Sequence, residues 1–224
     1  MNSYSVKPCK TPFTLSGNWN SPEWQQADLL TISHFLPESS DHRPLAEAKM
    51  LYDEHSAHVF FRVSDRYVRA IHTGYMAEVW NDSCVEWFVQ PRPDKGYFNF
   101  EVNCGGSLYA SYVEDPRRIN QKLKKFTPLP FETCRTIGIY YSMPTIVEPE
   151  ITEPVEWFIE LNIPIKIFEP FIGPVGPLPG QEWRANFYKC GDETSHPHWA
   201  ARSPVSEKNF HRPQEFGIIK FAPY

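Results

Sequence analysis

The 224 residues predict an all-β protein: a two-sheet antiparallel β-sandwich of jelly-roll or immunoglobulin-like type with short peripheral helices. Two observations carry this. Apolar residues recur with period two in short runs, while no segment holds a helical period for more than a few turns. Prolines number 22 against 11 glycines. A proline fits neither a helix interior nor a central strand, so this many cut the chain into short extended pieces.

Along the chain, 17–27 (GNWNSPEWQQA) reads as a turn and a short helix, with Ser21 as N-cap, Pro22 at the first helical position and Glu23 in the first turn. Segments 46–52 and 58–65 (HVFFRVSD) read as strands bridged by the polar turn 53–56. An irregular excursion, 65–79, leads to Trp80. Two strands then flank the PRPDKG turn at 91–96. Segment 106–111 extends the sheet, and 114–130 is a polar excursion without periodicity. Strands follow at 136–143 and 156–163, the latter with Trp157, Ile159, Leu161 and Ile163 on one face. The proline- and glycine-dense stretch 164–180 reads as a long structured loop. Strands 183–190 and 216–221 close the sheet. No linker or repeat interrupts the chain, so one domain spanning 1–224 is expected.

The run from Val79 to Gly106, VWNDSCVEWFVQPRPDKGYFNFEVNCGG, carries the functional signal. Side chains alternate faces along a strand, so Val85, Trp87 and Val89 point to one side and Glu86 and Gln90 to the other. In the second strand Phe98, Phe100, Val102 and Cys104 form the apolar face, leaving Tyr97, Asn99, Glu101 and Asn103 opposite. Carboxylates, amides and an aromatic ring thus share one surface, with Trp80 at its entrance. That combination suits a sugar, whose C–H face packs on an aromatic ring and whose hydroxyls need fixed donors and acceptors.

Composition narrows the alternatives. A net charge of −5 with no basic cluster argues against nucleic acid and anionic membranes as partners. The short LKK run at 123–125 reads as a solvated loop. The first residues lack a signal-peptide core and no run of 18 apolar residues occurs, so a cytoplasmic location is expected, or an exported one if a leader precedes this sequence. Five cysteines, odd in number and without CxxC spacing, fit free thiols in a reducing compartment. Trp19, Trp24, Trp87, Trp157 and Trp183 lie in contexts typical of core, whereas Trp80 and Trp199 stand outside alternating runs beside polar residues. His196 and His198, with Asp192 and Glu193 upstream, fall short of a closed metal site. Ser195 beside His196 makes no triad.

The order of four pieces resembles a family 9 carbohydrate-binding module of the stand-alone bacterial type. These are Trp24–Ala27 with the LYDE and HVFFRVSD hairpin, the W-x-D-x-x-V-E-x-F block from Trp80 to Phe88, the F-E-V-N run from Phe100, and the tail from Asn186 through Trp199 to FHRPQEFG at Gly217. The resemblance implies a jelly-roll-like sandwich gripping a terminal sugar between Trp80 and Trp199, with Glu86 supplying a carboxylate and Asn186 an amide. Two positions depart from it: Glu101 stands where an arginine is expected, and Tyr188 where a glutamine is.

The expected function is non-catalytic binding of a mono- or oligosaccharide, in the context of carbohydrate catabolism, in an open cleft. Its ligand-binding residues are Trp80, Glu86, Glu101, Asn103, Arg184, Asn186, Tyr188 and Trp199. No cofactor is required; the resemblance allows a structural calcium, and Asp53, Asp65 and Asp82 are hard oxygen donors in turns, though they define no cage. The alternative is a glycoside hydrolase using Glu86 and Glu101 as its carboxyl pair.

Overall fold

The computed structural model describes residues 3–9, 13–120 and 122–224. Strand β1 (Ser3–Pro8) precedes helix α1 (Pro22–Gln25) and the short strands β2 (Leu30–Ile32) and β3 (His34–Phe35). The hairpin β4 (Leu45–Tyr52) and β5 (Ser56–Asp65) is followed by β6 (Val68–Ala70), then β7 (Cys84–Gln90) and β8 (Tyr97–Asn103). A long hairpin, β9 (Leu108–Ile119) and β10 (Lys122–Pro128), leads through α2 (Phe131–Cys134) to β11 (Gly138–Tyr141), β12 (Val147–Ile151) and β13 (Val155–Pro164). Helix α3 (Glu169–Ile172), β14 (Glu182–Gly191), β15 (His198–Ala201) and β16 (Gly217–Phe221) complete the order.

One sheet runs β10-β9-β8-β7-β14-β16 and the other β4-β5-β13-β11, with β1 joining them. Residues Ser3–Val6 of β1 pair in parallel with β16, whereas Lys7 and Pro8 pair with β4. The strand therefore turns the corner from one sheet to the other. Tyr4 and Val6, at period two, bury against the common core and fix its register. Between the sheets Val85, Trp87, Val89, Phe98, Phe100, Val102 and Trp183 meet Val59, Phe61, Trp157 and Ile159. This is the apolar face that the alternation in the sequence specifies.

Helix α1 forms as its residues dictate: Ser21 Oγ accepts from Trp24 N at 3.4 Å and Pro22 opens the helix. It buries Trp24 completely, and the indole Nε1 donates to Glu160 Oε1 at 2.8 Å. The other Glu160 oxygen accepts from Ser16 N and Gly17 N at 2.9 and 2.7 Å, so one buried carboxylate ties the N-terminal segment to β13. Trp24→Phe, which removes one donor from that carboxylate, is expected to cost about 1–3 kcal/mol. Thermal unfolding should shift down by roughly 2–4 °C per kcal/mol; an unchanged midpoint would refute it.

Several segments differ from the sequence expectation. The excursion at 114–130 is mostly strand, and the LKK run lies in β10 rather than in a loop. Both faces of the outer hairpin meet solvent, so no apolar alternation marks it. Ion pairs hold it instead: Lys125 with Glu114 at 2.8 Å, Lys124 with Asp115 at 3.2 Å, and Arg117 with Asp115 at 2.6 Å. Within 65–79, β6 pairs with β12, a strand the sequence reading passed over. The loop 164–180 contains α3, which inserts Phe168 and Ile172 under the sandwich. No helix among the described residues is long and apolar enough to cross a membrane.

Candidate functional site

Register places the polar residues on the outer face of the β8-β7-β14 sheet in rows. Opposed residues share a face, so Asn103, Cys84, Cys190 and Trp199 form one row. The next row is Tyr109, Glu101, Glu86, Tyr188 and Ala201. Ser111, Asn99, Phe88 and Asn186 form a third. Glu101 and Glu86 are thus direct neighbours on adjacent strands, flanked by two tyrosines.

Trp80 and Trp199 pack in one cluster above the first row, with Leu36, Val79, Cys84, Cys190 and Tyr109. The Trp80 ring meets Tyr109 edge-on at 5.2 Å. Its carbonyl accepts from Asp192 N at 3.1 Å, which fastens the Trp80 segment to the end of β14. Trp199 Nε1 donates to Asp192 Oδ1 at 2.6 Å. Two tryptophans 119 residues apart therefore share one end of the sheet, with both glutamates beneath them.

This slot is not the open cleft expected from the sequence. Trp199 is only 8% exposed, and the Lys208 ammonium lies over its ring, 3.3 Å from the centroid. The loop between β15 and β16 folds back across the outer face. Phe210 stacks on Tyr188 at 4.0 Å, and the Tyr97 hydroxyl meets His211 Nδ1 at 2.7 Å. Period two distinguishes the two faces of a strand but does not show that a distant loop covers one of them.

The expected binding residues accordingly divide. Trp80, Glu86, Glu101 and Trp199 are brought together, with Tyr188 beside Glu86. The Tyr188 hydroxyl donates to Phe210 O at 3.1 Å and its ring is fully buried. Asn103 donates to Asp82 Oδ2 at 2.8 Å and to His72 O at 2.9 Å, and accepts from Ser107 N at 2.9 Å. Asn186 donates to Ser203 O and accepts from Ser203 N and Phe187 N. Both amides are committed to holding loops. Arg184 is exposed and lies six residues along β14 from Cys190, about 20 Å at ~3.3 Å per residue. It stands apart from the tryptophans. Tyr109, Asn99, Asp192 and Lys208 lie at the site but are absent from the expected binding residues. Only Asn99 carried a signal, its place in the alternation of β8.

The two glutamates share an electrostatic peculiarity. Burial, then the Cys190 thiol and Glu101, push the Glu86 carboxyl well above the usual carboxylate range. Burial also raises Glu101, to about 8, against the lowering effect of the 2.6 Å bond from Asn99 Nδ2. Asp192 is raised too, by burial, although Trp199 and Lys208 pull the other way. The folded state holds protons here that the unfolded chain releases near pH 4.3. The stability they carry is complete below that pH and is lost as pH rises through about 8. Glu101→Gln is expected to gain stability relative to the parent as pH is raised from 5 to 9, with nearly equal midpoints at pH 5. Parallel midpoint curves would contradict this.

Behind the same strands lies a charged cluster on the core side. Lys189 is fully buried and donates to His198 Nε2 at 2.7 Å and to Cys190 O at 2.9 Å, with Asp65 Oδ2 at 3.3 Å. Asp65 also meets His42 Nε2 at 2.7 Å, Arg66 N at 2.9 Å and Trp157 Nε1 at 3.2 Å. His42, Asp65 and His198 offer three metal-ligand atoms close together. They do not fit a transition metal, because the Lys189 ammonium occupies one His198 nitrogen and His196 O the other. Nor do the expected carboxylates fit calcium, which takes six to eight oxygen ligands. Asp82 receives the N–H groups of Ile71, His72 and Asn103, and Asp53 those of His55 and Ser56. Nitrogen donors surround all three carboxylates.

The antiparallel sandwich thus brings two indoles over two acids at one sheet end. The family model described as carbohydrate-binding family 9 matches residues 21–221, and the chain belongs to that family. A crystal structure of a Bacteroides uniformis protein assigned to carbohydrate binding is similar over 98% of both chains, with 26% identity and a TM-score of 0.83. Family 9 modules from Caldicellulosiruptor kristjanssonii, in complex with cellotriose and with glucose, share the fold at 12% identity and TM-scores of 0.66. They match the whole of this chain and 95% and 97% of their own. Among curated protein sequences none matches this chain.

Proposed function

We propose that this protein binds the end of a mono- or oligosaccharide, without catalysis, between Trp80 and Trp199, and that it serves carbohydrate catabolism. The observation that carries the reading is the meeting of those two indoles with Glu86 and Glu101 at one end of the β7-β14 pair. A pyranose stacks its C–H face on an indole while the acids and the Tyr109 hydroxyl take its rim hydroxyls. Lys208 and its loop swing aside to admit the ring. A site of this size supports micromolar to millimolar affinity, or about 8 to 4 kcal/mol. Calorimetric titration with glucose, cellobiose and cellotriose tests it, with Trp80→Ala as the comparison. Binding by the parent that is lost in the variant is expected. No heat with any sugar, or equal heat in the variant, would reject the reading.

The opposed carboxyls also bear on hydrolysis, since strands about 4.8 Å apart bring such groups near the ~5 Å of a retaining glycosidase. A retaining enzyme needs one carboxylate ionised as nucleophile while the other stays protonated. Here burial raises both in the same direction, which favours binding over bond cleavage. Turnover of an aryl glycoside that vanishes in Glu86→Gln would reverse that preference.

A further inference from the structure

Three carboxyls, Glu86, Glu101 and Asp192, converge on the slot; among the described residues Glu86 and Glu101 form no ion pair, and Asp192 feels the nearby Lys208 ammonium. Glu86 accepts the Cys190 thiol at 3.1 Å through Oε1, and Glu101 accepts Asn99 through Oε1. No described residue donates to the second oxygen of either. Both residues are 3–4% exposed, so these oxygens are largely withdrawn from bulk water. The chain itself shows what such a place attracts. Lys208, an exposed residue on a covering loop, lays its ammonium on the Trp199 face, beside the Asp192 carboxylate that holds the indole N–H. An indole face and a desolvated acid both favour a cation.

We infer that the preferred ligand of this slot is an amino sugar with a free ammonium, a hexosamine rather than a neutral hexose. This rests on the sugar-binding reading above and deepens it. The pyranose ring displaces Lys208 from the indole face and stacks there as any hexose does, while the ligand's own ammonium donates to the open oxygens of Glu86 and Glu101. A neutral sugar leaves the pair to keep its protons. A cation supplies the missing positive charge, so binding drives a proton off the pair.

Calorimetry at pH 7 with glucose, glucosamine and N-acetylglucosamine tests the inference. Glucosamine is expected to bind at least ten-fold tighter than glucose, with a heat that varies with the buffer's ionisation enthalpy because a proton is released. N-acetylglucosamine, which has the same ring with its charge removed, should show neither property. Glu86→Gln and Glu101→Gln should bring the glucosamine-to-glucose ratio towards one. Lys208→Ala, at an exposed position that leaves the fold undisturbed, should widen it by removing the resident competitor. Glucose binding as tightly as glucosamine, or N-acetylglucosamine matching glucosamine, would overturn this inference while leaving sugar binding in place. Failure of all three sugars would remove both.

Discussion

Asp65→Ala is expected to be among the most damaging single substitutions in this protein, costing about 3–5 kcal/mol. The Lys189 ammonium is fully buried, and Asp65 is the carboxylate that faces it, at 3.3 Å. Removing the acid leaves a desolvated charge without its counter-ion, and also strips His42 and the Trp157 indole of their acceptor. Lys189→Met should cost less. Asp65 then keeps His42, Arg66 N and Trp157 Nε1, and the methionine fills the ammonium's path among apolar neighbours. The pair spans the two sheets, from β5 to β14, so its loss loosens the sandwich where β15 is anchored.

The same cluster sets the response to acid. Burial raises the Asp65 carboxyl, but Lys189 and the His42 bond outweigh it and hold it well below the ordinary value. Burial and the Lys189 charge push His198 down to about 3. A histidine kept neutral by the fold contributes stability that is whole above about pH 6.5 and lost as pH falls towards 3. Glu86 and Glu101 act in the opposite direction, weakening the fold as pH rises towards 8. Midpoints should therefore peak between these limits. Asp65→Ala should lower the whole curve in denaturant titration, more than Lys189→Met does; equal losses would show that the pair is not what holds the cluster.

How legible this was from sequence depends on distance along the chain. Alternation in 85–89 and 98–104 placed every core residue of β7 and β8 on the observed face, and Ser21 with Pro22 marked α1, because those signals are local. The parallel strand β1 and the outer part of the β9-β10 hairpin, beyond segment 106–111, were missed for different reasons. The first shows its period in only two core residues, Tyr4 and Val6, and the outer part of the second faces solvent on both sides. In the site, the W-x-D-x-x-V-E block pointed to Trp80 and Glu86 together. Asn103 and Asn186 were also on the polar face, but their bonds to His72 and Ser203 depend on loops that no period reveals. Lys189 shows the limit most clearly. It continues the inward alternation of Trp183, Ala185 and Phe187 as a charged residue, and only the arrival of Asp65 from another sheet explains it.

Trp199→Ala is expected to weaken sugar binding by about 2 kcal/mol or more, close to thirty-fold, taking a millimolar site beyond calorimetric detection. The ring and the backbone of Trp199 have separate roles. The Trp199 main chain is untouched by truncation: its N–H still donates to Ser39 Oγ at 3.0 Å, and Leu36 N still donates to Trp199 O at 2.9 Å. Strand β15 thus keeps its main-chain anchors, while the stacking face and the Nε1 donor to Asp192 disappear. Trp199→Phe divides the two contributions, since phenylalanine retains an aromatic face but has no N–H for Asp192. It should fall between the parent and the alanine variant in affinity. Trp24→Phe is the stability control, lowering the melting midpoint at a site across the molecule with binding intact. If the alanine variant were destabilised no more than Trp24→Phe and still bound sugar as the parent does, the indole would have no part in the grip.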